Sequence, residues 1–367
     1  MPSDVKAVLL AENDAFQRIL PVILDPQAPE ERRAAYAHLV AHELRDFDGW
    51  CERIRREAPA LYPADVRLIA TQDELRANLP DATAAIVDAL RIGPEELRLA
   101  PKLKAVQKYG TVTSNIDLAA CAARNLPVLT LRRCANSAVA EHALALMLAF
   151  ARQLHRCAGL ISFEQLSAAG YAPERFDGRH VPTSGWARIT GLKILRDSTL
   201  GILGMGEIGR ELAPVAAALG MRVVYYQRNR LAAEDEQRFR ATWQPLDILL
   251  GQSDWVSVHL PLTPQTRGLV GRAQIAAMKR GAVLINASRA EIVDRDAAIE
   301  ALRSGRLGGL AIDAQYEEPG RADDALLQFD NVILTPHIAG QPRINGLVDF
   351  EALLVGLSRT LSGAAPR

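Results

Sequence analysis

Short apolar stretches alternate along the chain with longer segments in which apolar and charged residues recur at helical spacing. In the first part, residues 29–58 have the charged helical pattern, with Trp50 as an apolar anchor. The apolar stretches there predict strands at VKAVLLA near the N-terminus, VRLIA (66–70), TAAIVDA (83–89), LKAVQKYG (103–110) and LPVLTL (126–131). Strands that alternate with helices indicate parallel sheets.

The second half continues the alternation. Its apolar stretches predict the strands TLGIL, MRVVYY, WVSVHL, AVLINA, LGGLAID and NVILT. A helix is predicted from Asp294 to Ser304, with Asp294 as its N-cap and Gly305 as its stop. Residues 136–154 predict a long helix that is apolar nearly all round, and such helices are usually buried on several sides. Residues 158–197 predict an irregular, ordered surface excursion.

Charge and cysteine content narrow the class of protein. The 43 basic and 43 acidic residues balance to a formal net charge of zero, so neither nucleic acid nor an anionic membrane is expected as a partner. No basic leader precedes an apolar stretch at the N-terminus, and the longest apolar run, Ala143–Ala151, is too short to span a bilayer. We expect a cytoplasmic protein with no metal site and with reduced thiols at Cys51, Cys121, Cys134 and Cys157.

The most informative motif lies in the segment STLGILGMGEIGRELAPVAAALGMRVVYY (198–226). An apolar strand, Gly204-x-Gly206-x-x-Gly209, an amphipathic helix and a second strand follow one another, which is a dinucleotide-binding fingerprint. The first glycine would allow the tight turn, the second would let the backbone approach a pyrophosphate, and the third would let helix and strand pack closely. The helix N-terminus would offer free N–H groups and a positive dipole to the phosphates.

Three polar residues follow strands of the second half. Arg289 comes after AVLINA, Glu318 after LGGLAID, and His337 after NVILT. Ligands bind at the carboxyl ends of strands in such sheets. A guanidinium there can hold a carboxylate and an adjacent carbonyl oxygen, and an imidazole can donate and accept one proton. Each residue alone also fits a structural or solvated role, but the combination downstream of a phosphate loop predicts a catalytic set.

Further motifs are HLPLTPQTRGLVG, INASRAEIVDRDAAIEALRSGRLGG, and EEP followed by TPHIAG. With these motifs the chain resembles the D-isomer-specific 2-hydroxyacid dehydrogenase family from about Val66 onward. The resemblance implies that Arg289, Glu318 and His337 are the catalytic residues. It also implies these cofactor-binding residues: Gly204, Gly206, Glu207, Ile208, Gly209, Pro261, Thr266, Ala287, and Asp313, the last at the nicotinamide carboxamide.

The resemblance further implies an α/β fold of two doubly wound parallel-sheet domains with a cleft between them. Residues 1–133 and 338–367 would form a flavodoxin-like substrate domain, and residues 134–337 a Rossmann-type cofactor domain. The substrate carboxylate would meet the backbone N–H groups of Gly110, Thr111 and Val112, with Lys108 where the family often has an arginine facing the substrate. A homodimer would form around the 136–154 helix.

Departures from the family pattern concern the site and the cofactor. The usual Arg-Gly step is Arg289-Ala290, Val112 replaces a common glycine, which would narrow the substrate pocket, and the first 65 residues exceed the compact pattern. At the end of the second fingerprint strand, an acidic residue would bond the ribose 2′-hydroxyl and repel a 2′-phosphate. The chain instead has Gln227, with Arg228 and Arg230 nearby. NADP is therefore expected in preference to NAD, unless both arginines are solvated loop residues.

We expect an oxidoreductase that transfers a hydride between NAD(P)H and a small 2-oxo or D-2-hydroxy acid. Arg289 would hold the substrate carboxylate and polarise the carbonyl, His337 would protonate the carbonyl oxygen, and Glu318 would orient the imidazole. Two alternatives stay open. Phosphite and formate dehydrogenases use the same scaffold, although formate dehydrogenases carry glutamine where Glu318 stands. Nucleotide-sensing corepressors share the fold and would bind cofactor without significant turnover.

Overall fold

The computed structural model describes residues 5–363. The chain divides into two units. The first unit holds the described residues up to Ala138 and those from Gly340 onward, and the second holds Val139–Ala339. The domain boundaries expected from the sequence, after residues 133 and 337, fall a few residues before these divisions.

The first part of the chain alternates strands with helices. In order, its elements are β1 (Ala7–Glu12), α1 (Ile19–Leu24), α2 (Glu30–Val40), α3 (Phe47–Glu57), β2 (Ala64–Ile69), α4 (Gln72–Asn78), β3 (Ala84–Val87), α5 (Pro94–Leu99), β4 (Ala105–Lys108), α6 (Leu118–Ala123) and β5 (Val128–Leu129). Helix α7 (Cys134–Ala151) then leads from the first unit into the second.

The second unit continues in the same way. Its elements are α8 (Leu154–Cys157), α9 (Phe163–Ala168), β6 (Thr199–Leu203), α10 (Glu207–Ala218), β7 (Arg222–Tyr226), α11 (Ala233–Phe239), β8 (Thr242–Trp243), α12 (Leu246–Gln252), β9 (Trp255–Val258), α13 (Arg272–Ala277), β10 (Ala282–Asn286), α14 (Arg295–Arg303), β11 (Leu307–Ile312) and β12 (Val332–Leu334). Helix α15 (Ile344–Leu361) belongs to the first unit again.

The sheet of the first unit is parallel throughout, in the order β2-β1-β3-β4-β5. Successive residues of β1 face opposite sides, because Leu9 and Ala11 lie in one apolar cluster and Leu10 lies in another. Both faces of this sheet are therefore covered, which explains the apolar runs of β1 and β3, while the edge strand β2 carries Asp65 and Arg67.

Helix α15 completes the core of the first unit. Its Leu353 and Leu354 are buried with the strands, and the Phe350 ring stacks on Tyr109 with centroids 5.2 Å apart. Asp349 is 1% exposed and accepts a hydrogen bond from the backbone N–H of Cys134 at 2.7 Å. The returning helix thus also holds the first residue of α7.

The sheet of the second unit is parallel in the order β12-β11-β10-β9-β6-β7-β8. From β6 the chain adds β7 and β8 on one side, and then crosses to add β9, β10, β11 and β12 on the other. The order reverses between β6 and β9, where doubly wound sheets bind their ligands. The prediction of two doubly wound parallel-sheet α/β domains is confirmed.

Helix α7 is mostly apolar, and its C-terminal half, from Ala143 to Ala151, is apolar throughout. By length and composition alone it could cross a bilayer, but a core helix passes the same test. Ala143, Met147 and Phe150 of this helix pack in an apolar core of the second unit. Leu148, on another side of the helix, is 38% exposed.

Local features of the chain agree with the sequence-based expectation in some places and differ in others. The Asp294 carboxylate caps α14 by accepting the Ala297 N–H at 2.8 Å, as predicted. Residues 29–58, in contrast, form two helices, because Asp46 caps a new helix through the Gly49 N–H. Strand β8 was not predicted, since two residues show no recognisable period. The 158–197 excursion is irregular apart from α9 and a few turns.

Candidate functional site

The strand order of the second unit brings three predicted site residues to one edge. Strands β10, β11 and β12 are parallel neighbours, so their carboxyl ends lie side by side. Arg289, Glu318 and His337 lie in the segments that follow these three ends. The three residues are far apart in the sequence, but the sheet brings them close together in space.

His337 and Glu318 form a hydrogen-bonded pair. The imidazole Nδ1 lies 2.9 Å from Glu318 Oε2, and Glu318 Oε1 accepts the Gln315 N–H at 2.9 Å. Burial acts to raise the pKa of the Glu318 carboxyl, but the hydrogen bonds from His337 and Gln315 and the positive charge of Arg289 outweigh it and lower that pKa. Because a carboxylate only accepts hydrogen bonds, Nδ1 carries a proton. The other ring nitrogen, Nε2, has no hydrogen-bond partner among residues 5–363.

A buried amide holds the turn that carries Arg289. Asn286, at the end of β10, donates from Nδ2 to the Arg289 carbonyl at 2.7 Å, and its Oδ1 accepts the Ser288 hydroxyl at 2.8 Å. Ala290 is buried at the start of the 3₁₀ turn Ala290–Ile292. Alanine therefore fits at the position where the family usually has glycine, and the Arg289 side chain remains exposed at the edge.

Asp313 fixes the turn that presents His337. His337 has a left-handed backbone with φ +53°, which is uncommon for a residue with a Cβ. Its N–H donates to the Asp313 carbonyl at 2.9 Å. The Asp313 carboxylate is 1% exposed and accepts the N–H groups of Ile338 and Ala339, each at 2.9 Å. Both carboxylate oxygens are thus engaged within the protein, while the contact of Asp313 with a nicotinamide carboxamide stays a prediction.

The glycine triplet has the geometry that a dinucleotide requires. Gly204 has φ +99°, and a Cβ there would lie 2.5 Å from the His259 carbonyl oxygen. A Cβ at Gly209 would lie 2.4 Å from the Gly204 carbonyl oxygen, so α10 packs directly on the strand. At Gly206 a Cβ would meet nothing within 4 Å. The space beside Gly206 is open at the N-terminus of α10, where Glu207 and Ile208 begin the helix, and the binding of a pyrophosphate there stays a prediction.

The segment after β7 holds the residues expected near a 2′-phosphate. The guanidinium of Arg230 is bound to Glu236, with Nε–Oε1 at 2.9 Å and NH2–Oε2 at 2.7 Å, and its pairing with a 2′-phosphate stays a prediction. Glu236 also accepts the Tyr225 hydroxyl at 2.8 Å, which holds the carboxylate in place. Arg228 is exposed and makes no hydrogen bond or ion pair within the described range. Gln227 accepts the Met205 N–H at 3.2 Å and so joins the end of β7 to the phosphate loop.

The remaining predicted cofactor residues follow β9 and β10. Thr266 donates its hydroxyl proton to the Pro261 carbonyl at 2.6 Å, which closes the loop between them. Ala287 is buried directly after β10. His259, at the end of β9, is buried beside Ser257 with 2.8 Å between Nε2 and Oγ, and burial lowers its pKa to about 4. His259 is therefore neutral at physiological pH and supports the edge without adding charge to it.

The predicted substrate residues lie in the first unit, at the end of β4. Lys108 is 4% exposed, and its Nζ donates to the Asp88 carboxylate at 2.9 Å and to the Asp88 carbonyl. The expectation that Lys108 faces the substrate stays a prediction, and its amine is engaged with Asp88. Gly110 has φ +155°, and its carbonyl accepts the Leu131 N–H at 2.8 Å. Roles for the N–H groups of Gly110, Thr111 and Val112 stay predictions.

Several residues that support the site were missed from the sequence. Asn286, Gln315, Thr335 and His142 all bond to residues of the catalytic edge. Asn286, Gln315 and Thr335 lie within a few residues of a strand end, so polarity at the end of an apolar stretch was an available signal. His142 lies far away in sequence, next to Glu141 in a mostly apolar helix, and no signal near it in the sequence indicated its partners.

Comparisons with known proteins agree with this geometry. A family model described as D-isomer specific 2-hydroxyacid dehydrogenase, NAD binding domain, matches residues 144–339. A glyoxylate reductase of Aeropyrum pernix is 35% identical over 254 residues, which are 69% of this chain and 72% of that protein. A D-3-phosphoglycerate dehydrogenase of Archaeoglobus fulgidus is 32% identical over 281 residues, 76% of this chain but 49% of that protein. The fold also matches a D-mandelate dehydrogenase structure from Rhodotorula graminis, with TM-score 0.55 and 24% identity, over 97% of this chain and 94% of that chain.

The open space at Gly206 predicts a clean loss of nucleotide binding. Gly206→Val should still give a folded protein, because nothing in the protein lies within 4 Å of the added Cβ, and the loss of glycine at the N-cap of α10 should lower the melting temperature only slightly. The side chain would occupy the space assigned to the pyrophosphate, so the Kd for NAD(P)H should rise at least about tenfold, equivalent to about 1.4 kcal/mol. Titration calorimetry measures this, with Gly346→Ala as a control at another open glycine. An unchanged Kd in a folded Gly206→Val protein would contradict the placement of the phosphates.

Proposed function

Because the chain belongs to the D-isomer-specific 2-hydroxyacid dehydrogenase family, whose members are oxidoreductases acting on CH–OH donors, we propose that it reduces a small 2-oxo acid to the D-2-hydroxy acid. The observation that carries the proposal is the His337–Glu318 pair at 2.9 Å, beside Arg289 on one edge of the nucleotide-binding unit. A carboxylate–imidazole pair with a free Nε2 is a proton donor suited to a developing alkoxide.

Each member of the set has a distinct task in this proposal. Bound reduced nicotinamide supplies the hydride. The Arg289 guanidinium holds the substrate carboxylate and lies against the carbonyl oxygen, which its planar fork can reach at the same time. His337 gives the proton on Nε2 to that oxygen, while Nδ1 stays bonded to Glu318. The Glu318 carboxylate, whose pKa is lowered, remains charged and holds the Nδ1 side of the ring by accepting its hydrogen bond.

The substrate class follows from the chemical groups that the site can bind. The Arg289 guanidinium and the His337 proton donor match a carboxylate with an adjacent carbonyl, so a small 2-oxo acid is enough to engage both residues. The glyoxylate reductases among the relatives make glyoxylate the first substrate to test. Hydroxypyruvate, pyruvate and aromatic 2-oxo acids complete a panel that varies only the group beyond the carbonyl.

We propose NADPH as the preferred form of the nicotinamide cofactor. The residue after β7 is Gln227, so no carboxylate repels a 2′-phosphate at that point. Arg228 is exposed next to it and offers a guanidinium, the group that binds phosphate best. Arg230, which is bound to Glu236, contributes less.

We further propose a homodimer built on α7. Helix α7 is as apolar as a core helix, yet it leaves Leu148 exposed and Leu144 half-buried. A second copy would cover this surface. Sedimentation velocity should give twice the mass of the chain, and Leu148→Glu should shift the protein toward monomer, because it places a charge on the apolar surface. A wild-type monomer at micromolar concentration would refute the dimer.

The catalytic pair predicts two different kinetic changes. His337→Ala should lower kcat about 10²- to 10⁴-fold with little change in nucleotide affinity, because general acid catalysis is lost. Glu318→Gln keeps an oxygen that can accept from Nδ1 but removes its charge, so kcat should fall by less than in His337→Ala. Steady-state kinetics measure both, with the exposed Glu317→Gln as the matched control. Near-normal turnover in His337→Ala would refute the assignment.

Arg228 predicts a cofactor-specific change. Arg228→Ala should raise the KM for NADPH about tenfold, as expected for one lost charged contact, and leave the KM for NADH unchanged. Arg230→Ala should have the smaller effect on the NADPH KM. A wild-type enzyme with higher kcat/KM for NADH than for NADPH would overturn the preference, as would an equal effect of Arg228→Ala on both nucleotides.

A further inference from the structure

Within the second unit, a series of hydrogen bonds connects His142, Thr335 and Asp313 to the turn that contains His337. His142 Nε2, on α7, is 3.2 Å from the Thr335 hydroxyl and 3.5 Å from Asp313 Oδ1. The Thr335 hydroxyl is 2.6 Å from Asp313 Oδ1. The Asp313 carboxylate in turn accepts the N–H groups of the two residues that follow His337. Helix α7 is thereby connected to the turn that presents the imidazole.

The direction of these bonds is determined by the number of hydrogens. A hydroxyl has one hydrogen to donate, and the carboxylate can only accept. The short contact therefore uses the Thr335 hydrogen on Asp313, and Thr335 Oγ1 can only accept from His142. His142 Nε2 must carry a proton. The order of donation is His142 to Thr335 to Asp313.

The end of this series is a backbone conformation that needs support. The left-handed backbone of His337, φ +53°, is unfavourable for a residue with a Cβ. The N–H of His337 is held by the carbonyl groups of Asp313 and Thr335, each at 2.9 Å. The direction of the imidazole toward Glu318 therefore depends on where Asp313 and Thr335 lie.

We propose that His142 and Thr335 are positioning residues for the catalytic imidazole, acting through Asp313. Neither residue needs to touch substrate or cofactor. His142 lies near the point where the chain enters the second unit, at Val139, and Asp313 holds the point where it leaves, at Ala339. The hydrogen bonds from His142 through Thr335 to Asp313, called the relay below, thus connect both ends of the unit to the turn at His337. The proposal rests on the proposed function only where turnover is the readout.

A pair of Thr335 variants separates the hydroxyl from the volume of the side chain. Thr335→Val keeps the shape and removes the hydrogen bonds, so kcat should fall at least about tenfold while the KM for the nucleotide changes less than about twofold. Thr335→Ser keeps the hydroxyl and should retain most of kcat. His142→Leu should resemble Thr335→Val, and His142→Gln, which keeps an N–H donor, should recover part of the loss. Thr242→Val, at an exposed strand position, is the control.

A second readout does not depend on turnover. The His337 Nδ1–H proton, bonded to Glu318, should give a downfield resonance in the NMR spectrum of the wild type and of Thr335→Ser. This resonance should shift upfield or broaden in Thr335→Val and His142→Leu. Absence of turnover with every 2-oxo acid in the wild type would refute the proposed function. The resonance would still show whether the hydrogen bonds of the relay position His337.

Three outcomes would overturn the relay. An unchanged kcat together with an unchanged resonance in both Thr335→Val and His142→Leu would show that the hydrogen bonds do not position His337. A lowered melting temperature with normal kcat and resonance would assign them a purely structural role. A raised nucleotide KM at unchanged kcat would mean that Asp313 serves the nicotinamide and not His337. If Thr335→Val does not fold, the His142→Leu and His142→Gln pair carries the same test.

Discussion

The parallel alignment of β10, β11 and β12 is the constraint on which the site depends. Strands β10 and β11 are largely buried and β12 is half-buried; each ends at the same edge, and each is followed by one member of the catalytic set. No local interaction could bring Arg289, Glu318 and His337 together, because they come from separate segments. The sheet supplies the coarse placement, and buried polar side chains supply the fine placement: Asn286 for the Arg289 turn and Asp313 for the His337 turn.

The same edge divides into regions with different chemistry. At β6 and β7 it presents glycine, backbone N–H groups and an exposed arginine, which suit phosphates. At β10 to β12 it presents a guanidinium and a carboxylate-bound imidazole, which suit a 2-oxo acid. Between them, after β9, His259 is neutral because burial lowers its pKa to about 4. A cofactor bound along the edge would therefore extend from the phosphate region to the proton donor.

Much of the fold and the centre of the site could be predicted from the sequence, because their signals are local. Buried parallel strands are apolar runs, a cap such as Asp294 precedes its helix, and the glycine triplet reports a backbone that approaches other backbone. Other features depend on how the elements pack. The pairing of Arg230 with Glu236, six residues further along the chain, goes with a bond from Tyr225 of β7 to the same carboxylate. The role of His142 requires α7 to lie against the ends of β11 and β12, which are distant in the chain. The strand and helix patterns alone do not predict either arrangement.

The central claim is that a reduced nicotinamide bound at this edge would give its hydride to the carbonyl carbon of a 2-oxo acid, and that His337 protonates the carbonyl oxygen. The most direct measurement is a single turnover of glyoxylate with NADPH that carries deuterium at C4 of the nicotinamide ring. Mass spectrometry then measures the deuterium in the product. The account predicts glycolate with one deuterium on C2 from the cofactor labelled on the transferred face, and none from the opposite face. Glycolate without deuterium from either cofactor, or no glycolate and no product from any other 2-oxo acid, would contradict it.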